Sequence, residues 1–399
     1  MQNQEPISQH TARKILNRDF VLGFFALFAF LVACYSLVPT LPIYLSRLGS
    51  GERAIGELIG IYSAAALIFR FLVGGVLHKY SERAVMMFGS ILFAVTFLAL
   101  ILFRPFWPFF AVRFSQGIAY ACLDTAVLAF IVNAIPLRFR VQGLAYFFLA
   151  PTFALAIAPS FGMLLLNRHN ATLLFSACLG LSLCAFSSSY GLRAQNVLPS
   201  QKDNTGNGRL LIDFKIIAPT MIGFLQCFVM GAIYTFLPLY AVQCGVRNPG
   251  HFFSSIAAVV IAGRILAGRI VDTWSKGTIT IMCISVSTLA MVILYFSRTL
   301  PMFVLAGLIW GVGATFIFSA NMAYAFDYSG SSGGTSVGTY MALTDLGLAI
   351  GPMVMGAVIP LIGYSMMFLS LGFVCVVNLC YFQFYLEKKC GATSSILRS

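Results

Sequence analysis

Twelve times along the chain, about eighteen or more consecutive residues are predominantly apolar. An apolar helix of about 20 residues spans the hydrocarbon core of a bilayer, so this repetition restricts the possible folds severely. The runs lie at approximately 20–46, 54–77, 84–103, 106–133, 140–166 and 171–192, then 214–243, 251–273, 279–297, 300–326, 334–361 and 364–386. They are numbered here as spans 1 to 12. Hydrophobic residues make up 59% and charged residues only 9% of the sequence. Soluble domains carry about 25% charged residues, so a soluble fold of this size would lack the polar surface to cover itself. The first run, at 20–46, is too long for a cleaved signal peptide and is expected to insert and stay.

Between spans 6 and 7 lies the longest polar stretch, 193–213, which reads as a linker. The predicted organisation is a tail at 1–19, a six-helix bundle at 20–192, the linker, a second six-helix bundle at 214–387 and a tail at 388–399. An even number of spans puts both tails and the linker on one side. That side holds 16 Lys and Arg and the opposite loops hold 6, while Arg70, Arg113 and Arg264 fall within apolar runs. The positive-inside rule therefore predicts cytoplasmic termini, and a bacterial inner membrane is the expected location. The same distribution accounts for much of the net charge of +13 without nucleic acid, because the sequence has no basic run. Most of the ten cysteines, Cys34, Cys122, Cys178, Cys184, Cys227, Cys283 and Cys375 among them, sit inside apolar runs and no C-x-x-C pair occurs, so they read as small buried hydrophobes.

The two halves repeat. Leu41-Pro42-Ile43-Tyr44 returns as Leu237-Pro238-Leu239-Tyr240. The segment from Arg70 through Gly74 to Ser81 returns from Arg264 through Gly268 to Ser275, and Leu155 to Pro159 returns as Leu348 to Pro352. The offsets are 196, 194 and 193, nearly constant along the half. The expected fold is all-α, with twelve transmembrane helices in two pseudo-symmetric six-helix bundles, the arrangement a rocking transporter needs.

With these residues in view the sequence resembles the major facilitator superfamily, nearest to its proton-coupled drug and metabolite exporters. Three motifs carry the resemblance. The loop after span 2 reads Gly74-Gly75-Val76-Leu77-His78-Lys79-Tyr80-Ser81-Glu82-Arg83, where the family has G-x-L-A-D-R/K-x-G-R-K. His78 replaces the acid; the second-half copy keeps it, as Gly268, Asp272 and Lys276. Span 4 holds R-x-x-Q-G intact, as Arg113, Gln116 and Gly117. Span 5 holds a degenerate exporter motif, with Ala145, Ala154 and Ala158 in place of glycines but Pro159 and Gly162 kept; its second-half copy is Gly347, Gly351 and Pro352. The resemblance implies that the first loop and its copy latch the halves at the cytoplasmic side. The latch would involve Gly74, His78, Lys79, Arg83, Gly268, Asp272 and Lys276, with Asp327 as a partner for Lys276 or Arg269. It also implies a cavity walled by spans 1, 4, 7 and 10, with Tyr35, Tyr120, Gln226, Tyr234, Trp310 and Asn321 among its polar and aromatic members.

Most acids lie in loops or at helix ends, but Asp124 in span 4 and Asp345 in span 11 lie deep. A carboxylate inside a membrane is costly and points to function. Arg113 and Asp124 are eleven residues apart, which places them on one stripe of a helix but roughly 16 Å apart along its axis. They cannot pair directly, so each needs a partner elsewhere. Asp124 and Asp345 are the proton-coupling candidates; helix-to-helix hydrogen bonding is the alternative role. Arg113 is open between binding an anionic substrate group and bracing span 4.

No H-E-x-x-H or i, i+4 histidine pair, Walker loop or nucleophile–base constellation occurs, so neither metal, cofactor nor enzymatic activity is expected. Gly334-Thr335-Ser336-Val337-Gly338 matches G-x-S-x-G but lacks a preceding strand. The expected function is proton-coupled antiport of a small amphipathic organic molecule by a monomer. A proton-coupled or facilitative importer, and a non-transporting receptor or assembly partner, stay open.

Overall fold

The local chemistry of the sequence sets where each helix starts and stops. In a computed structural model of the chain, residues 17–77, 79–102, 107–135, 139–168, 170–193, 213–266, 274–329 and 334–386 are described, and among them no strand occurs. Spans 1 to 4 are the helices Arg18–Arg47, Glu52–Val76, Glu82–Leu102 and Trp107–Ala134. Span 5 is two pieces, Arg140–Phe147 and Leu149–Arg168, and span 6 is Ala171–Tyr190. Spans 7 to 10 are Phe214–Gln243, Gly250–Leu266, Lys276–Phe296 and Leu300–Ser329. The side chains of Asn17, Asp213 and Ser275 accept the N–H groups of Phe20, Lys215 and Thr278, capping spans 1, 7 and 9.

Spans 11 and 12 form one helical stretch, Gly334–Cys380, interrupted at Gly363 with φ 79° and ψ 166°. A straight helix of 47 residues would reach about 70 Å, over twice a bilayer core. The stretch instead folds back: Ser370 Oγ reaches Met355 Sδ at 3.9 Å, though fifteen residues separate them. Counted this way, with the shorter apolar helix Gly250–Leu266, the ten long apolar helices become twelve spans.

The division of span 5 departs from the single run read from the sequence. Pro151 has no N–H to give to Phe147, and the break places it in the first turn of the second piece, where that N–H has no helical partner to lose. The break leaves the Phe148 carbonyl available, and Thr152 Oγ1 donates to it at 3.1 Å.

The internal repeat is carried into the packing. Spans 1 and 7 both end in a Schellman motif. Gly49 N–H bonds Ser46 and Ser50 N–H bonds Leu45; Gly245 N–H bonds Val242 and Val246 N–H bonds Ala241. Both glycines have positive φ, 87° and 82°. Tyr44 packs edge-on to Phe109 and Phe175, with ring centroids 6.3 and 5.4 Å away. Tyr240 repeats this with Phe303 and Phe368 at 5.7 and 5.3 Å. Each aromatic trio ties three spans of one half.

The start of span 1 meets the end of span 6, where the Arg193 N–H donates to Asp19; the start of span 7 meets the end of span 12, where Tyr381 Oη donates to the Ala218 carbonyl. The face carrying these ends is called the tail face, and the opposite one the far face. The halves are pressed together toward the far face. There Tyr364 Oη donates to Glu52, Asn167 Nδ2 to the Arg247 carbonyl, and Ser254 Oγ to the Ala156 carbonyl at 2.6 Å. Gly56 lies directly against the Pro352 carbonyl, leaving no space for a side chain. Toward the tail face Phe71 and Leu72 of span 2 and Met341 of span 11 are exposed.

Candidate functional site

Between the halves, and lined by both, lies a cavity of about 280 Å³. Tyr35, Tyr62, Tyr120 and Tyr234 line it, with Arg70, Arg113 and Asp345. Spans 2 and 4 of the first half and span 11 of the second bring three charges together at it. Arg70 Nη2 donates to Asp124 Oδ2 at 3.0 Å, and Arg70 Nη1 donates to Asp345 Oδ2. One guanidinium fork thus holds two carboxylates, one from each half. The planar fork suits this role, because its two terminal nitrogens point to different acceptors at fixed geometry. The three side chains are 25%, 33% and 25% exposed, so the ion pairs remain open to protons and solutes. With both acids ionised the trio carries one surplus negative charge.

Arg113 has a different environment. It is 6% exposed, its Nη1 donates to Gln116 Oε1 at 2.7 Å, and its Nε donates to the Leu58 carbonyl at 3.3 Å. Its guanidinium lies 4.3 Å from the Tyr62 ring centroid. No carboxylate among the described residues pairs with it. Gly117, in the same motif, packs against the Tyr62 backbone, so the motif fixes span 4 on span 2.

Arg70 is the charged side chain of this cluster that sequence reasoning does not place. Spacing shows only that Asp124 needs a partner elsewhere, and that Arg70 lies within an apolar run. The signal was present: Arg70 heads the longest repeated segment, and its repeat partner is Arg264. Arg264 also crosses between halves. Its Nη1 donates to the Phe148 carbonyl at 3.1 Å and to Thr152 Oγ1 at 3.2 Å, at the break in span 5. Thr152 and Asp345 stand 193 residues apart, the offset of that part of the repeat. The two contacts are pseudo-symmetric equivalents, one ending on a carboxylate and the other on neutral oxygens.

The other expected site residues divide. Tyr35, Tyr120 and Tyr234 face the cavity. Gln226, Trp310 and Asn321 do not line it, which corrects the sequence reading. All three are buried within the second half, where Gln226 Nε2 donates to Ser287 at 2.9 Å and Asn321 Nδ2 to Tyr340 at 3.3 Å. Position on a long apolar helix does not fix facing direction: Gln226 and Asn321 turn toward neighbouring helices of their own half, and Trp310 is buried there.

Gly162 packs on Ser36 of span 1, and Gly351 on Phe228 of span 7. Pro159 and Ser160 lie against Gly250 across the halves. Lys276 Nζ donates to Asp327 at 2.6 Å, and the pseudo-equivalent first-half contact is Asn133 Nδ2 to Glu82 at 3.1 Å. Arg83 lies 4.9 Å from the Tyr190 ring and Lys79 is exposed. Gly74 faces open space, so it mediates no close helix approach in this arrangement, contrary to the expectation for a latch glycine. His78, Gly268 and Asp272 lie outside the described residues.

The comparison with known proteins fits this architecture. The staphylopine export protein of Staphylococcus aureus is 22% identical over 353 residues, covering 84% of this chain and 88% of that protein. The quinolone resistance protein NorA of Staphylococcus aureus strain COL is 22% identical over 356 residues, covering 86% and 90%. Among solved structures, the nucleoside transporter NupG superposes with a TM-score of 0.76 at 14% identity, covering 92% of this chain and 98% of that one. The human organic anion transporter MFSD10 (TETRAN) gives 0.67 at 17%, covering 92% and 99%. These structures share the fold. The sequence profile of the Major Facilitator Superfamily matches residues 23–341. With twelve spans, a repeat built into the packing and a charged cavity between the halves, the chain is an integral multi-pass membrane protein that belongs to the Major Facilitator Superfamily.

Proposed function

We propose that this transporter is a proton-coupled antiporter that exports a small amphipathic organic molecule by alternating access. The observation that carries the reading is Arg70 held between Asp124 of its own half and Asp345 of the other, at the cavity wall. The trio has one negative charge in surplus. A proton on either carboxylate cancels it, and so does a positively charged group of a substrate. Both together leave the trio positively charged, which disfavours joint occupancy. Competition for one charge is the physical basis of opposite fluxes.

The trio also spans the interface. Protonating Asp345 removes the ionic link between the halves and leaves Arg70 on Asp124. A charge change at one site thereby shifts the equilibrium between two arrangements of the halves, which is what coupling requires. Tyr62 and Tyr120 flank the trio: the Tyr120 ring centroid lies 5.9 Å from the Arg70 guanidinium and 5.8 Å from the Tyr62 ring. Export is supported by the printed names of two relatives, an export protein and a resistance protein.

In this reading the tail face is cytoplasmic in a bacterial inner membrane, on the strength of the 16-to-6 distribution of cations. The protein works as a monomer, and the Lys276–Asp327 pair fixes span 9 on span 10 within the second half at the tail face. Proton release on ligand addition tests the proposal. Purified protein at weak buffering near neutral pH is mixed with a panel of lipophilic cations and zwitterions. Stoichiometric release with at least one compound, abolished in Asp345→Asn, is the expected result. Binding without release would overturn antiport and leave uptake or facilitated movement as the reading.

A further inference from the structure

Resting on that reading, we propose that the substrate is zwitterionic, with its anionic group held by Arg113 and its cationic group by the Asp124–Asp345 pair. The cavity has charge of opposite sign at its two ends. At one end Arg70 is matched by two carboxylates, leaving a surplus negative charge. At the other end Arg113 has no carboxylate among the described residues and is satisfied only by a carbonyl, an amide oxygen and a ring face. Arg70 and Asp345 of the first end and Arg113 of the other line the same cavity, and Asp124 reaches it through Arg70.

An arginine in a membrane-spanning helix is costly without an anion, and neutral acceptors compensate it only in part. A structural brace for span 4 would require no access to the cavity, yet Arg113 is part of its wall. Its Nη2 is not among the buried side-chain atoms without a hydrogen-bond partner, which include the Arg70 Nε and Gln116 Nε2 nitrogens. The guanidinium keeps donor capacity for a carboxylate, which it would hold by charge-assisted hydrogen bonds.

What lies between the ends fixes the rest of the ligand. The two guanidinium groups are joined by a chain of aromatic contacts: Arg113 over Tyr62 at 4.3 Å, Tyr62 edge-on to Tyr120 at 5.8 Å, and Arg70 over Tyr120 at 5.9 Å. Tyr35 and Tyr234 line the same space. This wall suits an aromatic or otherwise apolar body that separates the two charged groups. A compound with one charge leaves one end uncompensated; a zwitterion of matching length compensates both.

The test uses the full-length protein in detergent and three lengths of one probe: 4-(aminomethyl)benzoate, 4-(2-aminoethyl)benzoate and 4-(4-aminobutyl)benzoate. Each is compared with its methyl ester, which keeps only the ammonium, and its N-acetyl form, which keeps only the carboxylate. At one length or more, calorimetry should show the zwitterion binding at least ten-fold tighter than both derivatives. Arg113→Gln should remove the preference over the ester and keep the preference over the N-acetyl form. Asp345→Asn should do the reverse.

Arg113→Lys, which retains the charge, should keep part of the preference over the ester and guards against loss of folding in the glutamine variant. Equal affinity of zwitterion and ester at every length, or no binding of any probe by the wild type, would overturn the proposal. The outcome separates from that for antiport. Zwitterion preference without proton release would sink antiport and leave this site standing. Proton release by a simple cation, with no zwitterion preference, would do the opposite.

Discussion

Arg70 shows how one residue can tie a site together. Its two terminal nitrogens each serve a different carboxylate, and the carboxylates belong to different halves. A lysine at this position would keep the charge and lose the fork, since an ammonium is a compact point charge without fixed divergent donors. We expect Arg70→Lys to lower the rate of proton-gradient-driven transport by at least ~10-fold while binding of a lipophilic cation changes little. An Arg70→Lys protein transporting at the wild-type rate would remove the fork from the mechanism.

The deep acids were legible in the sequence because a carboxylate in an apolar run is rare. Their shared cation was not, because pairing across spans 2, 4 and 11 depends on tertiary packing that no local spacing encodes. Arg113, Gln116 and Gly117 were legible as a unit, since their contacts run along one helix and onto its neighbour. Gln226, Trp310 and Asn321 were misplaced for the opposite reason. Periodicity shows that a polar residue is inside a span but leaves its facing direction open.

At the scale of elements, the contact that closes the far face is span 2 against span 11. The ideal Cβ of a residue at position 56 would collide with the Pro352 carbonyl, and it would come within 3.2 Å of the Gly356 Cα. Backbone cannot yield as a flexible side chain can, so the helices must separate. We expect Gly56→Leu to push the far face apart and favour the arrangement closed at the tail face. Met341 serves as the reporter: it is 41% exposed and stands one turn from Asp345, the carboxylate that links the halves. In a background free of native cysteines, alkylation of Met341→Cys should slow several-fold when Gly56→Leu is added. Unchanged alkylation would mean that the far face tolerates the bulk without moving.

Helix number and order followed from apolar length alone. The turn at Gly363 falls in the gap read between spans 11 and 12. The break in span 5 is less visible, because Pro151 sits inside apolar sequence where hydropathy does not change.

On the scale of the whole molecule, the pseudo-symmetry is broken at one informative point. Arg70 and Arg264 occupy equivalent places and both reach across the interface, to Asp345 and to Thr152 with the Phe148 carbonyl. The first link has a strength that depends on whether a carboxylate holds a proton. The second does not, because its acceptors are neutral. A rocking motion that is coupled to one proton site needs a difference of this kind. If both links were ionic, the halves would be tied at two places, and neutralising one acid would leave the other tie intact.

Thr152→Asp tests that argument directly. The substituted carboxylate would stand where Thr152 Oγ1 now accepts from Arg264, so a second ion pair should form across the halves. A partly buried ion pair of this type can contribute on the order of 1–3 kcal/mol of coupling between its members. We expect Thr152→Asp to slow transport by at least ~10-fold, which corresponds to about 1.4 kcal/mol, with the apparent melting temperature in detergent unchanged or raised. Adding Arg264→Gln removes the new pair and should restore most of the rate. Slow transport that Arg264→Gln fails to rescue would point to damage at the span 5 break. A wild-type rate in Thr152→Asp would show that the asymmetry of the two arginine links has no part in coupling.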